Sequence, residues 1–313
     1  MNWLLACLAS LLFIGLAPLL AGWLKWVKCR LQSRRGPSML QPYRNLAKLF
    51  RKTPILPEKA SWLFEVTPHI VFAAALLAVA MVPFMVVHLP TASIADVIAL
   101  VGILALGRFF LVLAGMDIGT AFGGMGSSRE ATIASLAEPA MLMAVFTLAM
   151  SANTTNLANA IDYVLDSGFV LRPSYAFALA GMVLVAVAET GRVPIDNPAT
   201  HLELTMIHEA MVLEYSGRHL ALLEWAGEIR LMLYGTLIAN IFLPWGIAQE
   251  LTIPALALGL GAILGKLMLL AVLLATSEIL LAKMRIFRIQ DFLGFAYLLS
   301  LLGMLSHIIL EVG

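Results

Sequence analysis

The sequence predicts an all-α polytopic membrane protein with about eight transmembrane helices and a large acidic cytoplasmic loop between helices five and six. Three observations predict this: the composition, the spacing of apolar segments and the distribution of basic residues. Of the 313 residues, 61% are hydrophobic and 12% are charged, and the mean hydropathy is +0.93. A soluble domain is only about 45–50% apolar. The net charge of +1 also argues against nucleic acid as a partner, because phosphate binding needs a basic surface.

Eight apolar segments are each predicted to cross the bilayer, which takes about 20 residues of helix. The first is interpreted as an anchor and not a removed signal peptide, because no small-residue cleavage site follows a short apolar core. The fifth segment is short and the seventh is long. Residues 1–313 therefore form a single membrane domain, with spans at 3–27, 67–88, 94–116, 130–151, 172–189, 229–248, 254–282 and 290–311.

The lysines and arginines are concentrated in the odd-numbered connections between these spans. Those connections hold 17 of the 20 basic residues, whereas the even-numbered ones hold only Arg172. Basic loops stay on the cytoplasmic side of a membrane. The pattern predicts that the odd connections are cytoplasmic and that both termini lie outside.

The connection at 25–66 is strongly basic and includes the turn Arg34-Arg35-Gly36-Pro37. Apolar residues of 41–52 fall largely on one side of a helix and basic residues surround them, as in a helix that lies along the membrane surface. Two interpretations of Arg34 and Arg35 remain open: a topology signal with lipid contact, or a grip on an acidic partner.

The connection at 189–230 is the acidic cytoplasmic loop and holds seven of the chain's 19 acids. Such a concentration in a chain of this hydropathy indicates an ion pathway or a docking surface. We expect a helix over 200–214, begun by Asn197-Pro198, that places Glu203 and Glu214 within about 20° on one face.

His201 and His208 fall on roughly the opposite face of that predicted helix. A zinc site there is disfavoured because a His-x6-His spacing separates the ligands by two turns and no cysteine is near. The histidines are interpreted as hydrogen-bonded groups or proton carriers.

Ionisable residues inside the apolar spans are costly and are expected to face the bundle interior. Glu138 lies about 12 Å along the axis from Glu130, and is expected either in a buried polar pathway or paired with Arg108 or Lys266. Lys266 and Glu278 should point inward from span seven, ion-paired with another span. The glycine-rich segment 119–128 is predicted to be a flexible connection whose small residues let backbones approach closely.

The two cysteines limit the redox chemistry of the chain. An iron-sulfur cluster usually needs four thiolates. Cys7 and Cys29 are 22 residues apart on one predicted helix, about 33 Å, which is too far for a disulfide.

Four motifs in order resemble the respiratory complex I subunit 1 family over nearly the whole chain. They are RRGPSMLQPYRNLAKLFRK at 34–52, GMDIGTAFGGMGSSREATIASLAEP at 115–139, AETGRVPID at 188–196 with EYSG at 214–217, and the basic segment 285–291. In that family this subunit joins the hydrophilic arm to the membrane arm.

The resemblance implies a role for each matching residue. The expected proton pathway comprises the matching residues Glu138, Glu189, Asp196, Glu203 and Glu214, together with Glu278 and Lys266, the charged residues of span seven. The residues expected to dock the redox arm are Arg34, Arg35, Arg129, Arg192 and Arg285. No catalytic or metal-binding residue is expected in this chain.

Two departures from the quinone-reducing members direct the assignment within the family. The stretch after the first Gly-Pro is shortened to GPSMLQP, and Ala199 and His201 stand where those members have a denser run of acids. Both features resemble the branch of membrane-bound [NiFe] hydrogenases and formate hydrogenlyase-type complexes.

That branch implies a membrane subunit without a redox centre of its own, in the cytoplasmic membrane of a bacterium or archaeon. The subunit is expected to anchor the redox arm and to couple electron transfer to proton or sodium translocation. The [NiFe] centre and iron-sulfur clusters are then expected in partner hydrogenase large and small subunits, beside antiporter-like membrane subunits. The alternatives are a quinone-binding subunit of NADH:quinone oxidoreductase, a freestanding transporter, which usually shows an internal repeat, and a purely structural anchor.

Overall fold

The computed structural model describes residues 2–167, 172–196 and 206–310. Its regular elements are helices, with a 3-10 turn at Pro90–Ile94 and a π-helical turn at Ile238–Phe242. The helices are α1 Asn2–Leu31, α2 Gln41–Phe50, α3 Trp62–Met81, α4 Val97–Asp117, α5 Ala121–Ala152, α6 Leu157–Asp166, α7 Pro173–Glu189, α8 His208–Val212, α9 Gly217–Leu237, α10 Ile253–Leu280 and α11 Ile286–Leu310.

The predicted all-α polytopic membrane architecture is confirmed. Within the described residues, six helices are long and apolar enough to cross a bilayer: α1, α3, α4, α5, α10 and α11. Two other helices are not among these six. Helix α7 is apolar but has only 17 residues, and α9 carries charged residues as far as Arg230. The count of eight spans and the side of the termini stay predictions.

The helices pack as a bundle with α1 and α10 at one side. Helix α11 packs on α7 and α5, α4 packs between α3 and α5, and α9 packs on α3. Helix α10 packs mainly on α1 and touches α9 only lightly. The polar segment that follows α7 therefore lies where the bundle meets α10.

Helix α2 confirms the helix predicted after the basic turn. Leu46 is buried, the Phe50 ring meets Trp225 of α9 edge-on, and the Tyr43 hydroxyl donates to the Gly15 carbonyl of α1. Helix α1 continues to Leu31, four residues beyond the predicted span. Its two cysteines, Cys7 and Cys29, are free.

The prediction of a flexible connection at 119–128 was wrong. Helix α5 begins at Ala121, nine residues before the predicted span, because the Thr120 side chain caps it by accepting the Gly123 N–H at 3.1 Å. The expected close approach is present. A Cβ at Gly126 would lie 2.8 Å from the Ala210 Cβ, and one at Gly115 would lie 2.4 Å from the Ser127 Oγ.

The predicted continuous helix over 200–214 was also wrong in its described part. Residues 206 and 207 are not helical, and α8 spans only His208–Val212. The reason is that the Asp196 carboxylate accepts the N–H groups of Ile207 at 3.2 Å and His208 at 3.3 Å, which starts a new helix there. Residues 197–205, with the proposed cap, His201 and Glu203, lie outside the described residues.

Candidate functional site

A buried arginine in α4 is the centre of the first charged cluster. Arg108 is 4% exposed, and three carboxylates surround its guanidinium. Nε lies 3.5 Å from Glu130 Oε1, Nη1 lies 3.4 Å from Glu138 Oε1, and Nη2 is in direct contact with Glu189 Oε2. A buried charge is tolerated only when it is paired. Three acids around one cation form a site that can share or exchange a proton.

The side chains of the three acids differ in their exposed fraction. The Glu189 side chain is 2% exposed and the Glu130 side chain 14%, whereas that of Glu138 is 33% exposed. Glu138 also makes only one long contact with the arginine. Glu138 is therefore the acid of this cluster that the chain itself encloses least.

Two further basic residues lie near this cluster. Arg230 of α9 interacts electrostatically with Arg108 and Glu130, and its Nε has no hydrogen-bond partner among the described residues. His208 begins α8, where burial lowers the pKa of its imidazole and the positive charge of Arg230 lowers it further. His208 is thus held neutral near pH 7 beside the cluster.

Glu278 of α10 is the centre of a second cluster. It is 8% exposed, and its carboxylate lies 2.8 Å from Lys28 Nζ of α1 and 3.5 Å from Arg192 Nη1. Burial lowers the pKa of Arg192, and the charge of Glu278 opposes that shift. Glu228 of α9 interacts electrostatically with Arg192, and its Oε2 is buried without a hydrogen-bond partner among the described residues.

Asp196, which follows α7, forms a third cluster with Lys283, which follows α10. It is 3% exposed, and its Oδ1 lies 2.9 Å from Lys283 Nζ. The backbones of these two segments also meet, because the Met284 N–H donates to the Pro194 carbonyl at 2.8 Å. The segment from Glu189 to Asp196 therefore places one residue in each cluster and joins the three into one polar network from α4 to α10.

Lys266 does not fit the predicted pathway. The expected ion pair is wrong, because its ammonium donates to the backbone carbonyls of Leu243 and Ala239, the latter at 3.4 Å. The cause is local: α9 passes into the π-helical turn and ends, which leaves carbonyls that need a donor. Glu214 is exposed in a turn, apart from the clusters, and Glu203 lies outside the described residues.

The five arginines expected to dock the redox arm separate into two groups. Arg34, Arg35 and Arg285 are exposed and available to a partner. Arg129 instead donates from Nη1 to the Met206 carbonyl at 2.9 Å, and Arg192 is paired with Glu278. The second group holds the loop against the bundle.

Sequence reasoning treated Arg108 only as one possible partner of Glu138. Its position inside a predicted span was the available signal, since an ionisable residue there is usually functional. The network also contains residues that were in neither the predicted pathway nor the predicted docking set: Lys28, Glu130, His208, Glu228, Arg230 and Lys283. Of these, only His208 had been interpreted from the sequence as a proton carrier or hydrogen-bonded group. No local pattern in the sequence pairs these residues, because their partners lie on distant helices.

Comparisons with known proteins agree with this architecture. Residues 4–309 match the NADH dehydrogenase family. The chain is 32% identical to hydrogenase-4 component C of Escherichia coli (strain K12), over 92% of this chain and 90% of that protein. It is 29% identical to formate hydrogenlyase subunit 4 of the same organism, over 91% and 92%.

A solved structure shares the fold. It is a chain of the membrane-bound sulfane sulfur reductase, an archaeal respiratory membrane complex, with a TM-score of 0.79 and 19% identity over 97% of this chain and 98% of that one. The family match over nearly the full length, together with the four ordered motifs, assigns the chain. This protein belongs to the NADH dehydrogenase family of membrane subunits, the complex I subunit 1 family.

Proposed function

We propose that this chain is the membrane subunit of an energy-converting [NiFe] hydrogenase or formate hydrogenlyase-type complex. In this role it anchors the redox arm and couples electron transfer to proton movement through buried carboxylates. The two E. coli relatives that cover more than nine-tenths of the chain carry hydrogenase and formate hydrogenlyase names, which favours this branch over a quinone-binding subunit.

The observation that carries the proposal is the polar network from Arg108 to Glu278. A chain that only anchored a partner would need no buried acids, because each one costs free energy in a low-dielectric interior. Here the Glu189 to Asp196 segment, the described start of the acidic loop, contacts Arg108 of α4, Glu278 of α10 and Lys283. A displacement of that loop changes the charge environment of all three clusters.

Coupling then follows from electrostatics. When the redox arm changes charge or position, the loop moves Arg192 relative to Glu278 and changes the pairing of Glu189 with Arg108. A carboxylate that loses a cation binds a proton more readily. When Glu189 draws Arg108 away from Glu138, Glu138 accepts a proton, and it releases that proton when its pairing with Arg108 is restored.

The exposed arginines supply the docking surface for the arm. Arg34, Arg35 and Arg285 lie on connections predicted to share one side of the membrane, and guanidinium groups recognise carboxylates strongly. The [NiFe] centre and iron-sulfur clusters belong to partner subunits in this proposal, and antiporter-like subunits complete the membrane arm.

Substitution of Glu138 by Gln tests the proposal in the complete complex. Hydrogen evolution from an artificial electron donor should persist, because the redox centres are untouched, while proton movement into vesicles should be lost. Glu250, which is exposed and remote in sequence from the clusters, is the matched control. Full proton movement in the Glu138→Gln complex would refute the assignment, as would a purified complex without a nickel-containing subunit.

A further inference from the structure

A cavity of about 310 Å³ lies between α1, α7, α9 and α10, on the membrane side of the polar network. Its walls are almost entirely aliphatic and include Leu24, Val187, Ile238 and Leu274. It exists because α10 leans on α1 and barely touches α9, so a space remains between α10 and the bundle. Two of the helices in its wall, α1 and α10, are long and apolar enough to cross a bilayer, and the residues that α7 and α9 contribute are mostly apolar.

The cavity opens at the surface of this chain between α7 and α10. Val183 and Leu273 line it from opposite sides, and each keeps a large exposed fraction, 39% and 57%. Leu269, one turn before Leu273 on α10, is also exposed at 61% but does not line the cavity. Apolar cavities do not hold water, so hydrocarbon is the medium that can fill this one.

The size and lining of the cavity restrict its occupant. A transmembrane helix is about 10–12 Å across, too wide for this space. The three hydroxyl groups in the wall are already engaged: Thr190 donates to the Ala186 carbonyl at 2.7 Å, Ser277 to the Leu274 carbonyl at 2.8 Å, and Tyr234 contacts the Met141 sulfur at 3.7 Å. None is free to bind a quinone carbonyl. The occupant is therefore a plain hydrocarbon chain.

We propose that this cavity is a binding site for one acyl chain of a membrane phospholipid. The chain fills the space between α10 and the bundle and supports the face of α10 that presents Ser277 and, next to it, Glu278. The inference does not rest on the proposed function, because it concerns packing within the bilayer.

Two matched tryptophan substitutions test the site in the purified complex. Leu273→Trp places a bulky ring at the mouth, whereas Leu269→Trp places the same ring one turn away on the same exposed helix. After detergent washing, native mass spectrometry should find one fewer tightly retained phospholipid per complex in Leu273→Trp than in wild type. Leu269→Trp should match wild type. Val183→Trp closes the mouth from the opposite side and should repeat the Leu273→Trp result.

The occupant is identified directly by reconstituting the wild-type complex in nanodiscs of phosphatidylcholine with dibrominated acyl chains. Cryo-electron microscopy should show an elongated density with strong bromine scattering between α7 and α10. An empty cavity, a partner's side chain or a prenyl chain with a ring at its end would each overturn the proposal. Equal lipid retention in all variants would overturn it as well.

Discussion

Replacement of Arg108 by Met tests whether one cation holds the network together. The substitution removes the positive charge that contacts Glu130, Glu138 and Glu189 while keeping an unbranched side chain in place of the arginine's aliphatic part. Three acids then remain together, with Arg230 as the nearby cation. The expected result is a large loss of stability that depends on those acids.

The magnitude follows from the distances. At an effective dielectric constant of about 20, one ion pair at 3.4 Å contributes about 5 kcal/mol before desolvation is subtracted. Removal of one partner of a buried pair costs about 3–5 kcal/mol in measured cases. In a chain of this size, 1 kcal/mol changes the thermal midpoint by about 2 °C, so the midpoint should fall by about 6–10 °C.

The thermal midpoint is measured by heating the detergent-solubilised protein to a series of temperatures and quantifying the remaining folded fraction by size-exclusion chromatography. Arg108→Lys is the control, because it keeps the charge and should lose less than Arg108→Met. The double variant Arg108→Met/Glu189→Gln should recover part of the loss, since one uncompensated carboxylate is then removed. Equal stability of the Lys and Met variants, or simple additivity in the double variant, would refute the reasoning.

Three further predictions follow from the same structure. Gly126→Leu should destabilise the fold strongly, because the backbone of Gly126 touches α8. Gly124→Ala has open space around the new methyl group and should stabilise the fold by about 0.5–1 kcal/mol. Thermal midpoints of unfolding distinguish the two variants. Burial lowers the pKa of His208 below the ordinary 6.5, so protonation favours the unfolded state. Wild type should therefore lose more stability than His208→Asn as the pH falls through 6.5. Parallel plots of thermal midpoint against pH for the two proteins would contradict this. Glu278→Gln should weaken proton movement more than hydrogen evolution, measured in the same vesicles, and equal losses in both would indicate an assembly role.

The apolar segments could be predicted from the sequence because membrane spans are defined locally. Every predicted span overlaps a helix of the structure, and α2 begins at the predicted residue. Span boundaries were less predictable where small residues are involved. The glycines before Arg129 looked like a loop, but they are part of α5. The Thr120 cap and the packing of α8 against Gly126 offset the low helix propensity of glycine.

The pairing of charges could not be predicted from local patterns. Asp196 was identified as an acid of the loop, but its capping of α8 and its pair with Lys283 depend on how the chain returns to the bundle. Lys266 looked like a pathway residue by its depth in a span, yet it bonds to the carbonyls at the end of a π-helical turn. Both outcomes depend on distant segments that meet only in the folded protein.

The central claim is that a carboxylate of the polar network, Glu138, changes its protonation when the redox partners turn over. Infrared difference spectroscopy of the purified complex, reduced and oxidised in turn, measures this directly through the C=O stretch of protonated carboxyl groups. The account predicts a carboxyl band in the wild-type difference spectrum that disappears in Glu138→Gln and persists in Glu250→Gln. A spectrum without such a band, or one unchanged by Glu138→Gln, would contradict it.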